Sequence, residues 1–169
     1  MEYGNIPQNR QRIYIVCFKS KKASDSFRFP EKIKLTKKIS DIINFSEKKD
    51  QKYYYDKSKY YQELVKTVKS QNSIYQWRRI YCRENKSHVC PTLTANMGTG
   101  GHNVPIVIDD YDIRKLTPEE CIQFQGFPKK FKFPSTISNA SKYKQAGNSV
   151  TVPVIERIVK NIILALKKE

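Results

Sequence analysis

A chain of 169 residues has room for one modest domain, or for one small domain and a piece of another. Its 32 Lys and Arg against 16 Asp and Glu leave a net charge of +16. Such an excess favours DNA or RNA, through release of counterions from phosphates, with a basic solubilising face on a ribosomal or membrane-surface protein as the plainer alternative. No apolar run reaches membrane length, no secretory leader is visible, and the four cysteines (Cys17, Cys82, Cys90, Cys121) have no CxxC spacing. These features point away from a membrane span, a metal site and a disulfide framework, and towards a cytoplasmic protein with reduced thiols.

In chain order, Gly4-Asn5-Ile6-Pro7 is a turn, and Ile13 to Phe18 is apolar on both faces, as in a buried strand of a parallel sheet. That strand needs neighbours that the chain does not obviously supply. Lys19 to Lys34 is a basic connector. Thr36 to Phe45 carries Ile39, Ile42 and Ile43 at helical spacing, Glu47 to Lys59 is a Tyr-rich loop, and Ser58 to Ser70 is a helix with Tyr61, Leu64, Val65 and Val68 on one stripe. Ser73 to Arg83 alternates like one strand.

Cys90 to Ile108 is turn-rich and ends in a β-like stretch, Val104 to Ile108. Thr117-Pro118-Glu119-Glu120 starts a helix, with Thr117 as cap, Pro118 at the first helical position and Glu120 closing a capping box. The helix stops at Gly126-Phe127-Pro128. Ala146-Gly147-Asn148-Ser149 is a small-residue turn running into a last helix, Val152 to Lys168. Gly147 and Asn148 tolerate positive φ, and Asn148 and Ser149 offer polar groups, so the turn suggests half of a small-molecule site.

Three segments occur in an informative order: Gly4 to Arg12 leading into the strand-like run, Arg114 to Cys121 with Gln125-Gly126-Phe127-Pro128, and Gln145 to Val150. Together they resemble conserved blocks eight, nine and ten of the DNA (cytosine-5)-methyltransferases. The stretch between the first two resembles that family's target recognition domain. The resemblance covers essentially the whole chain. It implies an α/β fold, the C-terminal portion of a Rossmann-like methyltransferase domain (strand and terminal helix) plus a smaller mixed α+β target recognition domain. Residues 1–18 and 144–169 are expected to complete the catalytic domain, 19–113 to form the recognition domain, and 114–143 to form the hinge with block nine.

The family's Gly-rich loop for S-adenosylmethionine, its Pro-Cys-Gln nucleophile loop and its Glu-Asn-Val segment are absent from these residues. Cys90-Pro91 has the reversed order, and Cys90 is read as structural. The chain therefore resembles the recognition half of a split methyltransferase, joined to an N-terminal subunit that carries the nucleophile. The assembly would flip cytosine out of duplex DNA, attack C6 with the partner's thiolate and methylate C5, in a bacterial restriction-modification system. The alternative is a truncated, inactive fragment that still binds DNA.

By the same resemblance, Arg12 would bond the oxygen at C2 of the flipped cytosine. Arg10 would support the site and a backbone phosphate, and Gln8 is equally an ordering residue of the loop or a plain turn residue. Asn148 and Ser149 would wall the S-adenosylmethionine site. The DNA-facing set is Arg78, Arg79, Arg83, Thr92, Thr94, Gly98, Gly100 and Gly101, with Trp77, Asn96, His102 and Asn103 nearby. Arginines read guanine edges in the major groove, and Thr92, in the Thr92-Leu93 pair, matches the family threonine that holds backbone phosphate. For any single arginine a phosphate contact is the commoner role, and for Trp77 a core role is commoner than stacking.

Overall fold

The protein is described by a computed structural model covering residues 1–99 and 103–168, so Gly100, Gly101 and His102 lie outside the described residues. Its centre is a four-stranded antiparallel sheet in the order β2-β1-β3-β4. The strands are β1 (Ile74–Arg78), β2 (Tyr81–Asn85), β3 (Ile106–Ile108) and β4 (Ile113–Lys115). The described residues also form five α-helices: α1 (Lys21–Ser26), α2 (Tyr61–Thr67), α3 (Pro118–Gln123), α4 (Asn139–Asn148) and α5 (Val152–Leu166). One face of the sheet packs on α2 through Leu64, Val68, Tyr75, Cys82, Ile106 and Ile113. A second core joins the sheet to α3 and α4, through Leu93, Met97, Val107, Leu116, Phe124 and Tyr143 among others.

The sequence expectations need several corrections. Ile13 to Phe18 is not a strand of this sheet. The run is extended, with Ile13 91% and Ile15 84% exposed, because no strand among the described residues lies beside it to complete a hydrogen-bond ladder. The stretch 73–83 is a hairpin rather than one strand. Arg78 pairs with Tyr81, and Arg79 and Ile80 form its two-residue turn. The helix expected over 36–45 shrinks to a single 3-10 turn, Ile39–Asp41. The supposed turn at Ala146 to Ser149 is instead the end of α4. The helical spacing of Tyr143 and Ala146 was masked by the polar residues around them.

Gly147 is therefore a glycine for space and not for φ. A Cβ there would fall on the main chain of Thr94 and Ala95. Gly126 does use its conformational freedom, with φ +82 after α3.

The start of α3 forms as its sequence dictates. Thr117 Oγ1 accepts from Glu120 N at 3.1 Å, and Glu120 Oε2 accepts from Thr117 N at 2.8 Å. The same carboxylate has a second task. Arg114 of β4 is fully buried and donates from Nη1 and Nη2 to the two oxygens of Glu120, both at 2.8 Å. Its Nε donates to Asp109 Oδ2, which also accepts from the Tyr54 hydroxyl at 3.0 Å. Burial opposes the guanidinium charge, and the two carboxylates outweigh it, so the pKa of Arg114 is raised.

Glu120→Ala should cost about 3–5 kcal/mol, because it leaves the Arg114 charge buried and half-paired. Urea unfolding measures it; a shift worth less than about 1 kcal/mol would contradict this role for the pair. The thiols give a second expectation. Cys17 is exposed, and Cys82, Cys90 and Cys121 are buried. Burial pushes Cys82 up to about 11 and lifts Cys90 and Cys121 well above the ordinary thiol value. Iodoacetamide at mildly alkaline pH should alkylate Cys17 alone in buffer and all four thiols in urea. Rapid native labelling of Cys90 would show that its site is open.

Candidate active site and nucleic-acid interface

The site begins at the C-terminus of α4. The last carbonyls of a helix lack helical partners, and the macrodipole favours a cation beside them. Arg10 fills both needs. Its Nη2 donates to Gly147 O at 2.9 Å and Ser149 O at 2.7 Å, while Nη1 donates to Leu93 O at 2.7 Å. One guanidinium thus joins three stretches far apart in sequence. Burial lowers its pKa first, and nearby Arg12 lowers it further. No carboxylate pairs with Arg10 among the described residues, so its charge is held by carbonyl dipoles.

The backbone around Arg10 is zipped to the same region. Cys90 N donates to Pro7 O and Asn9 N to Cys90 O, both at 2.7 Å, and Thr92 Oγ1 donates to Asn9 O at 2.6 Å. Gln125 after α3 adds another tie, from Nε2 to Ala146 O at 2.9 Å. The segments resembling blocks eight, nine and ten therefore meet at the end of α4.

Arg12, two residues on, is exposed, and its one hydrogen bond among the described residues is local, Nη1 to Gln11 O at 2.6 Å. It borders a cavity of about 580 Å³ together with Gln8, Arg10, Tyr14, Thr151 and Ile158. Gln8 is 1% exposed, yet neither its Oε1 nor its Nε2 has a partner among the described residues. A buried unpaired amide costs about 1–3 kcal/mol. The rim is thus cationic, with an unused buried donor and acceptor beside it. Cys90 is fully buried beside Pro7 and does not border this cavity.

The structure places Asn148 as the last residue of α4, exposed, and Ser149 as its C-cap, with Oγ donating to Ala146 O at 3.0 Å. They end one helix rather than starting the next. The DNA-facing set divides in two. Arg78, Arg79 and Arg83 are exposed and line a cleft of about 1090 Å³ between the β1–β2 hairpin and α2, with Trp77, Tyr81 and Asn103. Thr92, Thr94 and Gly98 lie instead against the Arg10 site and α4. The Thr92 hydroxyl, expected on a phosphate, is spent on Asn9 O. Gly98 admits close backbone approach, and what approaches is Ala140 O of α4, 2.5 Å from where a Cβ would sit. Trp77 is half-buried, its ring 4.7 Å from that of Tyr60, which suits neither a pure core role nor free stacking.

Sequence reasoning missed Tyr60, Lys115 and Tyr55 on the cleft wall, and Leu93 and Gly147 as carbonyl acceptors for Arg10. Carbonyl acceptors leave no trace in residue type. Lys115 stands beside the singled-out Arg114, and alternation along β4 places it on the opposite face of the sheet. Burial lowers the pKa of Lys115, helped by Lys52.

The family model for C-5 cytosine-specific DNA methylase matches residues 1–164. The type II methyltransferase M.Bsp6I of Bacillus sp. (strain RFL6) is 56% identical over 163 residues, covering 95% of this chain and 51% of that protein. M.HhaI of Haemophilus parahaemolyticus is 31% identical over 176 residues, covering 96% of this chain and 50% of its own. The chain thus spans about half the length of these relatives. Among solved structures, a mutant of Spodoptera frugiperda DNMT2 superposes with a TM-score of 0.60 at 18% identity, covering 96% of this chain and 55% of that one. Entamoeba histolytica methyltransferase EhMeth gives a TM-score of 0.60 at 16% identity, covering 96% of this chain and 51% of its own. The family model's match over nearly the whole length establishes that the chain belongs to the C-5 cytosine-specific DNA methylase family.

Proposed function

We propose that this chain is the target-recognition and cofactor-completing part of a DNA (cytosine-5)-methyltransferase of a restriction-modification system. The observation that carries the reading is the Arg10 guanidinium, which holds the recognition stretch at Leu93 and the end of α4 at Gly147 and Ser149 in one cluster. That clasp leaves Arg12 free at the cavity rim, where a fork of N–H donors suits a cytosine carbonyl oxygen. Arg12 takes the catalytic support. Arg10 is a positioning residue, since its Nη donors are already engaged. Gln8 supplies the buried amide for a polar group that enters the cavity.

The nucleophile comes from a partner chain with a Pro-Cys-Gln loop. Residues 1–18 and 144–169 complete its Rossmann-like catalytic domain, residues 19–113 form the recognition domain, and 114–143 the hinge. Uncovered apolar side chains support this. Ile13 and Ile15 stand on an extended run with no ladder partner, and Val159, Ile163, Leu164 and Leu166 of α5 are between 43% and 51% exposed. α5 is tied to the N-terminal segment by Arg157, which donates to Tyr3 O at 2.8 Å and also to Glu31 O at 2.9 Å. The residues also fit S-adenosylmethionine. Asn148 presents an exposed carboxamide without a partner among the described residues, next to the hydroxyl of Ser149 and the exposed Val150. Asn148 and Ser149 would hold that cofactor, which supplies the methyl group.

Arg78, Arg79 and Arg83 on the cleft wall are the bases for target choice, and the charge of +16 holds duplex DNA. Co-expression with a chain carrying Pro-Cys-Gln and the Gly-rich loop tests the reading. Tritium transfer from labelled S-adenosylmethionine to duplex DNA is expected from the pair and from neither chain alone. A pair that binds DNA and transfers nothing would support the inactive-fragment alternative. In an active pair, Arg12→Ala should lower kcat by about 10²-fold or more with DNA affinity within about three-fold. Unchanged turnover would remove Arg12 from the site.

A further inference from the structure

The cleft of about 1090 Å³ opens where the sheet forks. Among the described residues β1 and β3 share one paired position, Tyr75 with Ile106, and β1 then runs on to Arg78 beside β2 alone. Gln76 and Trp77 line the gap from β1, Lys115 from β4, and Tyr55 and Tyr60 from the chain ahead of α2. No Asp or Glu lines the cleft among the described residues. The Lys115 ammonium is half-buried and has no hydrogen-bond or ion-pair partner among them, and the Gln76 carboxamide has none either. Burial lowers the pKa of Lys115 and pushes the Tyr55 hydroxyl up to about 12, so that hydroxyl remains a donor. The Trp77 and Tyr60 rings lie 4.7 Å apart and form one aromatic surface. Lys59 covers the Tyr60 ring, 5.2 Å from its centroid, so Trp77 offers the stacking face.

A half-buried ammonium without a counter-charge is relieved by an anion. A flat ring beside it suits a planar group, and an unused carboxamide and hydroxyl suit that group's polar edge. An anion, a plane and a polar edge coincide in a nucleotide. A duplex keeps its base faces inside the stack, whereas a single strand offers them to an aromatic platform. We propose that this cleft binds an unpaired nucleotide of single-stranded DNA, with its base on Trp77, its phosphate on Lys115, and Tyr55 and Gln76 available to its polar edge. Charged grooves with aromatic platforms hold single strands in other proteins in this way. The site goes beyond the methyltransferase reading and does not depend on it, since it uses neither the Arg12 cavity nor the end of α4.

Trp77 is the chain's single tryptophan, so its fluorescence reports on the cleft. The intact chain is titrated with tetrathymidylate, thymidine monophosphate, a short blunt duplex and inorganic phosphate, all at one ionic strength. Tetrathymidylate should quench Trp77 saturably, and inorganic phosphate should not. Lys115→Met should weaken tetrathymidylate about ten-fold or more, and Lys115→Arg about three-fold at most. Lys130→Met removes the same charge from an exposed position outside the cleft and should change the affinity by about two-fold at most. Wild-type emission from each variant without ligand checks that the cleft is intact. No quenching by tetrathymidylate, equal losses in Lys115→Met and Lys130→Met, or equal quenching by phosphate alone overturns the nucleotide site. A duplex that quenches at the same concentration overturns the preference for an unpaired base. Thymidine monophosphate binding as tightly as tetrathymidylate overturns the strand as occupant and makes it a free nucleotide. A chain that binds tetrathymidylate and no duplex, by anisotropy, keeps this site and sinks the duplex-binding reading instead.

Discussion

The structure depends on how one guanidinium satisfies the end of one helix. α4 leaves the carbonyls of Gly147 and Ser149 without helical partners at a point that is half-buried. Water cannot freely serve them there, so a side chain must. Arg10 does so and uses its remaining arm on Leu93 O. Each bond is charge-assisted, while burial first and Arg12 second lower the Arg10 pKa. Because the acceptors are main-chain atoms, the clasp fixes backbone positions. Arg12 and Gln8, on either side in the same extended segment, inherit their placement from it.

A second network ties the sheet to α3. Arg114 locks β4 to the start of α3 through Glu120, and to the β3–β4 turn through Asp109. The two arginines thus do opposite things with the same chemistry. Arg114 is buried and paired with carboxylates, and holds the sheet. Arg10 is paired only with carbonyls, keeps its charge uncancelled, and leaves the cavity rim cationic together with Arg12. Among the described residues the side chains of Arg78, Arg79 and Arg83 have no hydrogen-bond or ion-pair partner, and all three are exposed. Rank among the arginines follows from how many acceptors the fold gives each one.

Local signals were legible in the sequence, and long-range ones were not. The capping box at Thr117 to Glu120, the stop at Gly126 and the final helix all depend on neighbours within a few residues, and all form as expected. Block order likewise identified the family and placed Arg10 and Arg12 side by side. The strand-like run at Ile13 failed because a strand is a relation between two segments, and alternation in one cannot show whether the other is present. Gly147 and Gly98 look like turn residues in sequence. Both are glycines because another backbone lies against them, Thr94 in one case and Ala140 in the other. The hairpin at Arg79 and Ile80 was hidden because neither residue is a usual turn former, and the conformation is forced by the strand pairing and by Trp77.

The central claim is that Arg10 is an internal clasp and Arg12 the free arm beside it. Hydrogen exchange of the arginine side chains, followed by NMR on ¹⁵N-arginine-labelled protein, tests this most directly. The Nη protons of Arg10 should persist with protection well above that of Arg12, whose fork is open to solvent. Equal and rapid exchange at both arginines would contradict the account.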